Sequence, residues 1–272
     1  MIIRTATITT HYELCGAADK SVVMLSHSLA AGMSMWDAQL AALQHGFRVL
    51  RYDTRGHGGS KVPPPPYRLE ELVADAAALM DALEIAKVHF VGLSMGGMIG
   101  QGLALGHPER LLSLSLCSTS ALIPELAQAA IQERVDTARA GGMPALVDGT
   151  LARWFSPAFL KAGGHALERV RRQILATPAA GYIGCTEAIR RLNYLDQLDR
   201  VRLPTLIMVG EADPGTPVAA SRAMHARISG SRLVILPAVL HLTNIEASAR
   251  FNRELLEFLQ SVEAAAAAGA QV

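Results

Sequence analysis

The 272-residue chain has few cysteines, almost no net charge and no long apolar run. Its three cysteines, Cys15, Cys117 and Cys185, are odd in number, far apart, and without CxxC or Cys/His ligand spacing. That argues against a disulfide framework or a zinc site, and buried free thiols are expected instead. With 25 Lys plus Arg against 24 Asp plus Glu the formal charge is +1, too little for a cationic field that holds a nucleic-acid backbone. No uncharged apolar stretch approaches the roughly 18 residues of a membrane-crossing helix. Residues 1–10 lack a basic segment followed by an apolar run and a small-residue cleavage site, so a cytoplasmic protein without membrane partners is expected. What is present is a half-apolar chain, long enough to bury roughly three quarters of its unfolded surface.

Short apolar runs at residues 21–26, 47–52, 88–92 and 111–116 have the length and composition of strands buried on both faces. Between them Leu69, Leu72, Val73, Ala76, Leu79, Met80 and Leu83 recur at helical spacing, and residues 36–43 form a shorter helical segment. This alternation predicts an α/β fold, a mostly parallel central sheet with helices on both faces. From about residue 121 to 195 the strand pattern stops, and helical stretches are punctuated by Pro124, Gly141-Gly142, Pro157, Gly163-Gly164 and Pro178. Strand runs resume at residues 204–210 and 232–237, and an amphipathic helix follows through Phe251, Leu255, Leu256 and Leu259. Residues 1–120 and 196–272 therefore read as a core domain, with 121–195 as an inserted helical cap. The alanine-rich residues 264–272 are expected to fray.

The sharpest local motif is Gly92-Leu93-Ser94-Met95-Gly96-Gly97, set between an apolar strand and a helical pattern. A serine on such a tight turn projects its hydroxyl above the sheet edge, and the flanking glycines leave room for the backbone. A hydroxyl is a poor nucleophile near neutral pH, so it needs a base and a group that orients the base. Asp213 follows one strand run and His241 follows the last, giving the order Ser, acid, His. Of the nine histidines only His225 and His241 lie after Asp213; His225 falls inside a helical stretch, whereas His241 occupies a loop. Glu211 is the competing acid, nearer the strand end. Charge on an attacked carbonyl oxygen needs two N–H donors: Met95 supplies one, and the loop His27-Ser28-Leu29-Ala30 the other, through Leu29 with Ser28 second. His27 is expected to brace that loop, and Asp53 and Arg55 to bridge a turn. Met33, Met35, Met95 and Met98 are expected to line an apolar pocket wall.

The segments Ser26-His-Ser-Leu29, Met35-Trp-Asp37, Arg51-Tyr-Asp-Thr-Arg-Gly-His-Gly-Gly-Ser60 and Gly92-Leu-Ser-Met-Gly-Gly97 resemble the α/β-hydrolase superfamily. Arg153-Trp-Phe-Ser-Pro157 and Thr177-Pro-Ala-Ala-Gly-Tyr182, with Cys185, narrow the resemblance to 3-oxoadipate enol-lactonases. The departures are His27 where those enzymes carry Asn, Ala30 where they carry Gly, and a glycine-free loop before His241. The resemblance implies an α/β-hydrolase fold and a cofactor-free, metal-free serine hydrolase that opens a small lactone or ester through Ser94, His241 and Asp213. The alternatives on the same scaffold are other carboxylic esterases, acyl-homoserine lactone hydrolases, perhydrolases and carbon–carbon bond hydrolases. Dehalogenases and epoxide hydrolases want Asp at the elbow. Residues 121–195 carry nine Lys or Arg against six Asp or Glu (+3), and the rest 16 against 18 (−2). Such a cap attracts an anionic lactone, with Arg153 beside Trp154 and Ser28 as the substrate-binding residues. Whether the chain forms a homo-oligomer is left open by the sequence.

Overall fold

A computed structural model describes residues 1–269. The elements in chain order are β1 (Ile2–Arg4), β2 (Thr9–Cys15), β3 (Val22–Ser26), α1 (Asp37–Leu43), β4 (Arg48–Tyr52), α2 (Leu69–Ala82), β5 (Val88–Leu93), α3 (Met95–Gly106) and β6 (Leu111–Cys117). Five helices follow, α4 (Gln128–Gly141), α5 (Val147–Trp154), α6 (Pro157–Ala162), α7 (His165–Ala176) and α8 (Ala179–Ile189). The chain ends with β7 (Thr205–Gly210), α9 (Val218–Arg227), β8 (Arg232–Leu236), α10 (Thr243–Glu246) and α11 (Ser248–Gly269).

Among the described residues the strands form one eight-stranded sheet in the order β1-β2-β4-β3-β5-β6-β7-β8. β1 and β2 run antiparallel to their neighbours, and every pairing from β4 to β8 is parallel. Because side chains alternate across a strand, the sheet feeds two cores. Val23, Leu25, Val91 and Leu93 point to the side packed by Trp36, just before α1, and by Phe251, Leu255 and Leu259 of α11. Met24, Phe90, Leu114 and Leu116 point to the opposite side, against Leu72 and Leu79 of α2, Ile99 and Leu103 of α3, and Met224 of α9. Each such leucine, fully buried, contributes about 1.5–3 kcal/mol, and Leu79→Ala costs about 2–5 kcal/mol once its cavity is counted.

The parallel strands and α2 fall where the apolar pattern puts them. The segment at residues 36–43 starts earlier, as a 3-10 turn over Met33–Trp36 that leads into α1. The fraying expected at residues 264–272 is corrected up to Gly269, where α11 ends; a run of alanines has the highest intrinsic helix propensity. Residues 270–272 lie outside the described residues. Cys117 and Cys185 are buried thiols, but Cys15 is half-buried at the end of β2, with its thiol facing Glu13 Oε1 at 3.3 Å. No helix of the described residues is long and apolar enough to cross a membrane.

Candidate active site

Ser94 stands between β5 and α3 with φ 56° and ψ −116°, a conformation that costs on the order of 1–3 kcal/mol and persists only where neighbours hold it. Its N–H donates to Cys117 O at 2.9 Å, and its carbonyl accepts from Thr119 Oγ1 at 2.8 Å. The turn also requires close backbone approach. A Cβ on Gly92 would overlap the carbonyl of Gly96, and one on Gly96 would overlap the carbonyl of Ser26.

Asp213 follows β7, and its carboxylate is almost fully enclosed. Oδ1 accepts from the N–H groups of Gly215 (2.8 Å) and Thr216 (3.0 Å), while Oδ2 accepts from Thr216 Oγ1 (2.6 Å) and His241 Nδ1 (2.8 Å). Burial by itself raises the pKa of such a carboxyl, but the neighbouring His241 and these donors outweigh it and hold Asp213 below its ordinary value. The bond to Asp213 puts the proton of neutral His241 on Nδ1 and leaves Nε2 as an acceptor. His241 lies in the loop after β8, where its N–H donates to Trp154 O at 3.1 Å and its ring stacks on Trp154 at 6.2 Å. Glu246 ties that loop to the segment after α5, accepting from Leu240 N–H at 3.2 Å and Ser156 N–H at 3.1 Å. His225 is exposed on α9 and faces Ser231. Glu211 is also exposed and accepts from Ala238 N–H at 3.1 Å, away from His241.

The loop after β3 is held from both sides by histidines. His27 donates from Nδ1 to Ser28 O at 2.7 Å and accepts at Nε2 from Thr54 N–H at 2.9 Å. His57 donates from Nδ1 to Arg55 O at 3.1 Å and accepts at Nε2 from Ala30 N–H at 3.0 Å. Since a carbonyl only accepts and an N–H only donates, both rings are neutral and carry their proton on Nδ1. Ser28 N–H is taken by Met35 Sδ at 3.4 Å. Of three consecutive N–H groups, that of Leu29 has no acceptor among the described residues, and neither has that of Met95 at the start of α3. Ala30 turns with φ 59° to make this possible.

Asp53 and Arg55 do not bridge one another. Asp53 accepts from His11 Nδ1, Met33 N–H and Gly59 N–H, whereas Arg55 forks onto Asp75 at 2.6 and 2.8 Å and reaches Glu71. Two acidic partners on α2, out of reach in sequence, outcompete the near one.

Ser94, Asp213 and His241 share one cavity of about 630 Å³ with Ser28, Leu29, Arg153 and Trp154. Ser28 Oγ is buried there without a hydrogen-bond partner among the described residues. Of the four methionines expected on its wall only Met98 lines it; Met35 and Met95 turn into the cores and Met33 joins the Asp53 loop. Arg134, which carries no sequence signal, also faces it, as does Tyr182 of the cap motif at residues 177–182. Burial and the charge of Arg134 hold the Arg153 guanidinium below its ordinary pKa. Arg153 donates to Thr150 Oγ1 at 3.1 Å, and among the described residues neither arginine pairs with a carboxylate. Two mutually repelling cations in one cavity favour an anion between them.

A family model described as the alpha/beta hydrolase fold matches residues 21–159. The chain is 37% identical to 3-oxoadipate enol-lactonase 2 of Acinetobacter baylyi over 245 residues, covering 90% of this chain and 91% of that one. The crystal structure of the enol-lactonase from Burkholderia xenovorans superposes with a TM-score of 0.92 at 36% identity, covering 96% of this chain and 100% of that one. A hydrolase from Pseudomonas aeruginosa superposes with a TM-score of 0.91 at 41% identity, covering 95% and 97%.

Proposed function

From the premise that the chain belongs to the α/β-hydrolase family and is an esterase-type hydrolase resembling the enol-lactonases, we propose that it opens 3-oxoadipate enol-lactone through Ser94, His241 and Asp213. The observation that carries this reading is the His241–Asp213 contact of 2.8 Å in the cavity that Ser94 lines.

His241 Nε2 removes the Ser94 hydroxyl proton as Oγ attacks the lactone carbonyl. The N–H groups of Met95 and Leu29 receive the developing oxyanion, already oriented and with no competing acceptor. The acyl–oxygen bond breaks, and the ring oxygen leaves with the proton carried by His241, so the ring opens while the acid stays esterified to Ser94. Water, deprotonated by His241, then adds to the acyl carbon and restores Ser94. These groups account for the proton transfers and the charge stabilisation without a metal or cofactor. Arg153 and Arg134 hold the free carboxylate of the lactone, with Ser28 and Trp154 against its ring. A place in aromatic catabolism through β-ketoadipate, in the cytoplasm, belongs to this reading.

The test is the absorbance loss of the lactone with purified protein beside Ser94→Ala. Turnover that vanishes in the variant, with its folding transition kept, is expected; wild-type turnover in Ser94→Ala sinks the proposal.

A further inference from the structure

The cavity is larger than the lactone that this reading puts in it. A lactone of ten non-hydrogen atoms fills on the order of 200–300 Å³, even at the roughly 30 Å³ that one water claims in the liquid, against about 630 Å³ available.

The wall also changes character along its length. Helices α4 and α8 run antiparallel, in a register set by Gln128, which bonds Arg190 at 3.0 and 3.1 Å, and by Arg134, which faces Tyr182. Arg134, Arg153 and Tyr182 thereby form a cationic end. Ile189 lies two helical turns beyond Tyr182, about 10 Å at the 1.5 Å rise per residue. Ala127, Leu122, Leu126, Leu195 and Ala223 line the cavity with it. Leu126 is 88% and Leu122 40% exposed, so apolar surface at this end awaits a cover.

Charge decides how a substrate lies between the two ends. In the enol-lactone of a 3-oxo-dicarboxylic acid the free carboxylate is attached on the side of the ring oxygen, the atom that leaves. Holding that carboxylate between Arg134 and Arg153 turns the leaving oxygen toward the cationic end and the acyl carbons toward the apolar one.

We propose that the apolar end is an acyl-chain subsite, and that the protein hydrolyses open-chain esters joining an unbranched acyl chain to a carboxylate-bearing alcohol or phenol. An acyl chain of up to about eight carbons, extended, is no longer than the roughly 10 Å between the ends. The inference rests on the reading of Ser94 as nucleophile. Ser94 Oγ bonds to the acyl carbon, the ester C–O bond breaks, and the leaving oxygen takes its proton from His241. Water then adds to the acyl carbon, releasing the alkanoic acid and free Ser94.

The experiment is a series of 4-acyloxybenzoates from acetyl to octanoyl, followed by release of 4-hydroxybenzoate. The expected kcat/KM rises about two- to four-fold per added methylene up to about the hexanoyl ester, the factor that burial of one CH2 supplies. Ala223→Phe narrows the subsite, and Leu126→Glu, at an exposed position that folding tolerates, wets its mouth; each is expected to flatten the series. Calorimetric titration of Ser94→Ala with the intact esters is expected to show the octanoyl ester binding more tightly than the acetyl ester. A flat or falling series beside Ser94-dependent lactone turnover overturns the subsite while the hydrolase reading stands. Chain-length preference in binding, with no Ser94-dependent turnover of any substrate, keeps the subsite and removes the nucleophile.

Discussion

The N–H of Ala30 donates to Nε2 of His57 at 3.0 Å, across 27 residues of sequence. With the matching bond from His27 to Ser28 O at 2.7 Å, it fixes the peptide planes on either side of Leu29 and leaves the Leu29 N–H free for an oxyanion. His57 is a positioning residue in this arrangement. His57→Leu removes the acceptor and is expected to lower kcat about 10- to 100-fold, somewhat less than deleting an oxyanion donor outright, with KM changed far less. Glutamine carries both an acceptor and a donor, so His57→Gln is expected to restore much of the loss. A kcat loss matched by an equal KM rise contradicts the assignment.

The same pair makes stability depend on pH. Burial, together with the charge of His27, pushes His57 down to about 3, and burial lowers His27 and His89 as well. The unfolded chain takes up a proton at each near pH 6.5, whereas the folded chain stays neutral there. The unfolded state binds more protons in that window, so stability decreases as pH is lowered, by up to about 1.4 kcal/mol per unit per histidine. For His57 the loss begins below about pH 6.5 and ends as pH passes about 3. Urea midpoints are expected to drop from pH 7 to pH 5 and to hold from pH 7 to pH 8; His57→Leu is expected to shallow the drop. A midpoint constant down to pH 5 counts against the buried neutral rings.

Asp213 fixes the tautomer of His241 through its 2.8 Å bond to Nδ1. In Asp213→Asn the amide favours the ring with its proton on Nε2, which cannot accept one from Ser94. A kcat loss of about 10³- to 10⁴-fold is expected with the fold kept. Thr216→Val, which removes the 2.6 Å donor to the same carboxylate oxygen, is expected to cost far less, because the carboxylate and the tautomer survive. Equal losses in the two variants would place the decisive interaction on Thr216 instead.

The parts of this architecture that could be read from the sequence are those set by local pattern. Strands β3 to β7 are buried on both faces or nearly so, so they spell apolar runs. β8, at the sheet edge, buries only Val234 and Leu236 yet keeps the apolar run at residues 233–236. Ser94 announces itself between a strand and a helix. β1 is three residues long and alternates exposed and half-buried positions, while β2 mixes buried and half-buried positions over the polar sequence Thr9-Thr-His-Tyr-Glu-Leu-Cys15, and no apolar run marks them. Thr216 had a signal that went unused: an Asp followed by Pro-Gly-Thr is a turn in which the hydroxyl returns to the carboxylate. Arg134 had none, and His57, though it stands in the motif at residues 51–60, had none for its contact with Ala30. Arg134 meets Tyr182 only because α4 packs on α8, and His57 meets Ala30 only because β3 and β4 are neighbours in the sheet.

The unpaired arginines test the substrate assignment most directly. Arg153 and Arg134 sit in one cavity without a carboxylate partner among the described residues, so each repels the other until an anion arrives. Arg153→Met keeps the apolar stem and removes the charge. It is expected to raise KM for the carboxylate-bearing lactone about 10-fold or more, the cost of one charge-assisted contact. A neutral nitrophenyl ester has nothing to lose there, so its KM is expected to stay within about two-fold, the scale of a surface charge effect. Because the cations repel, removing one also relieves the other, and the Arg134→Met, Arg153→Met double variant is expected to depart from additivity. Parallel KM changes for charged and neutral substrates would assign the arginines to the packing of α4 and α5 and leave the lactone carboxylate without a binding partner.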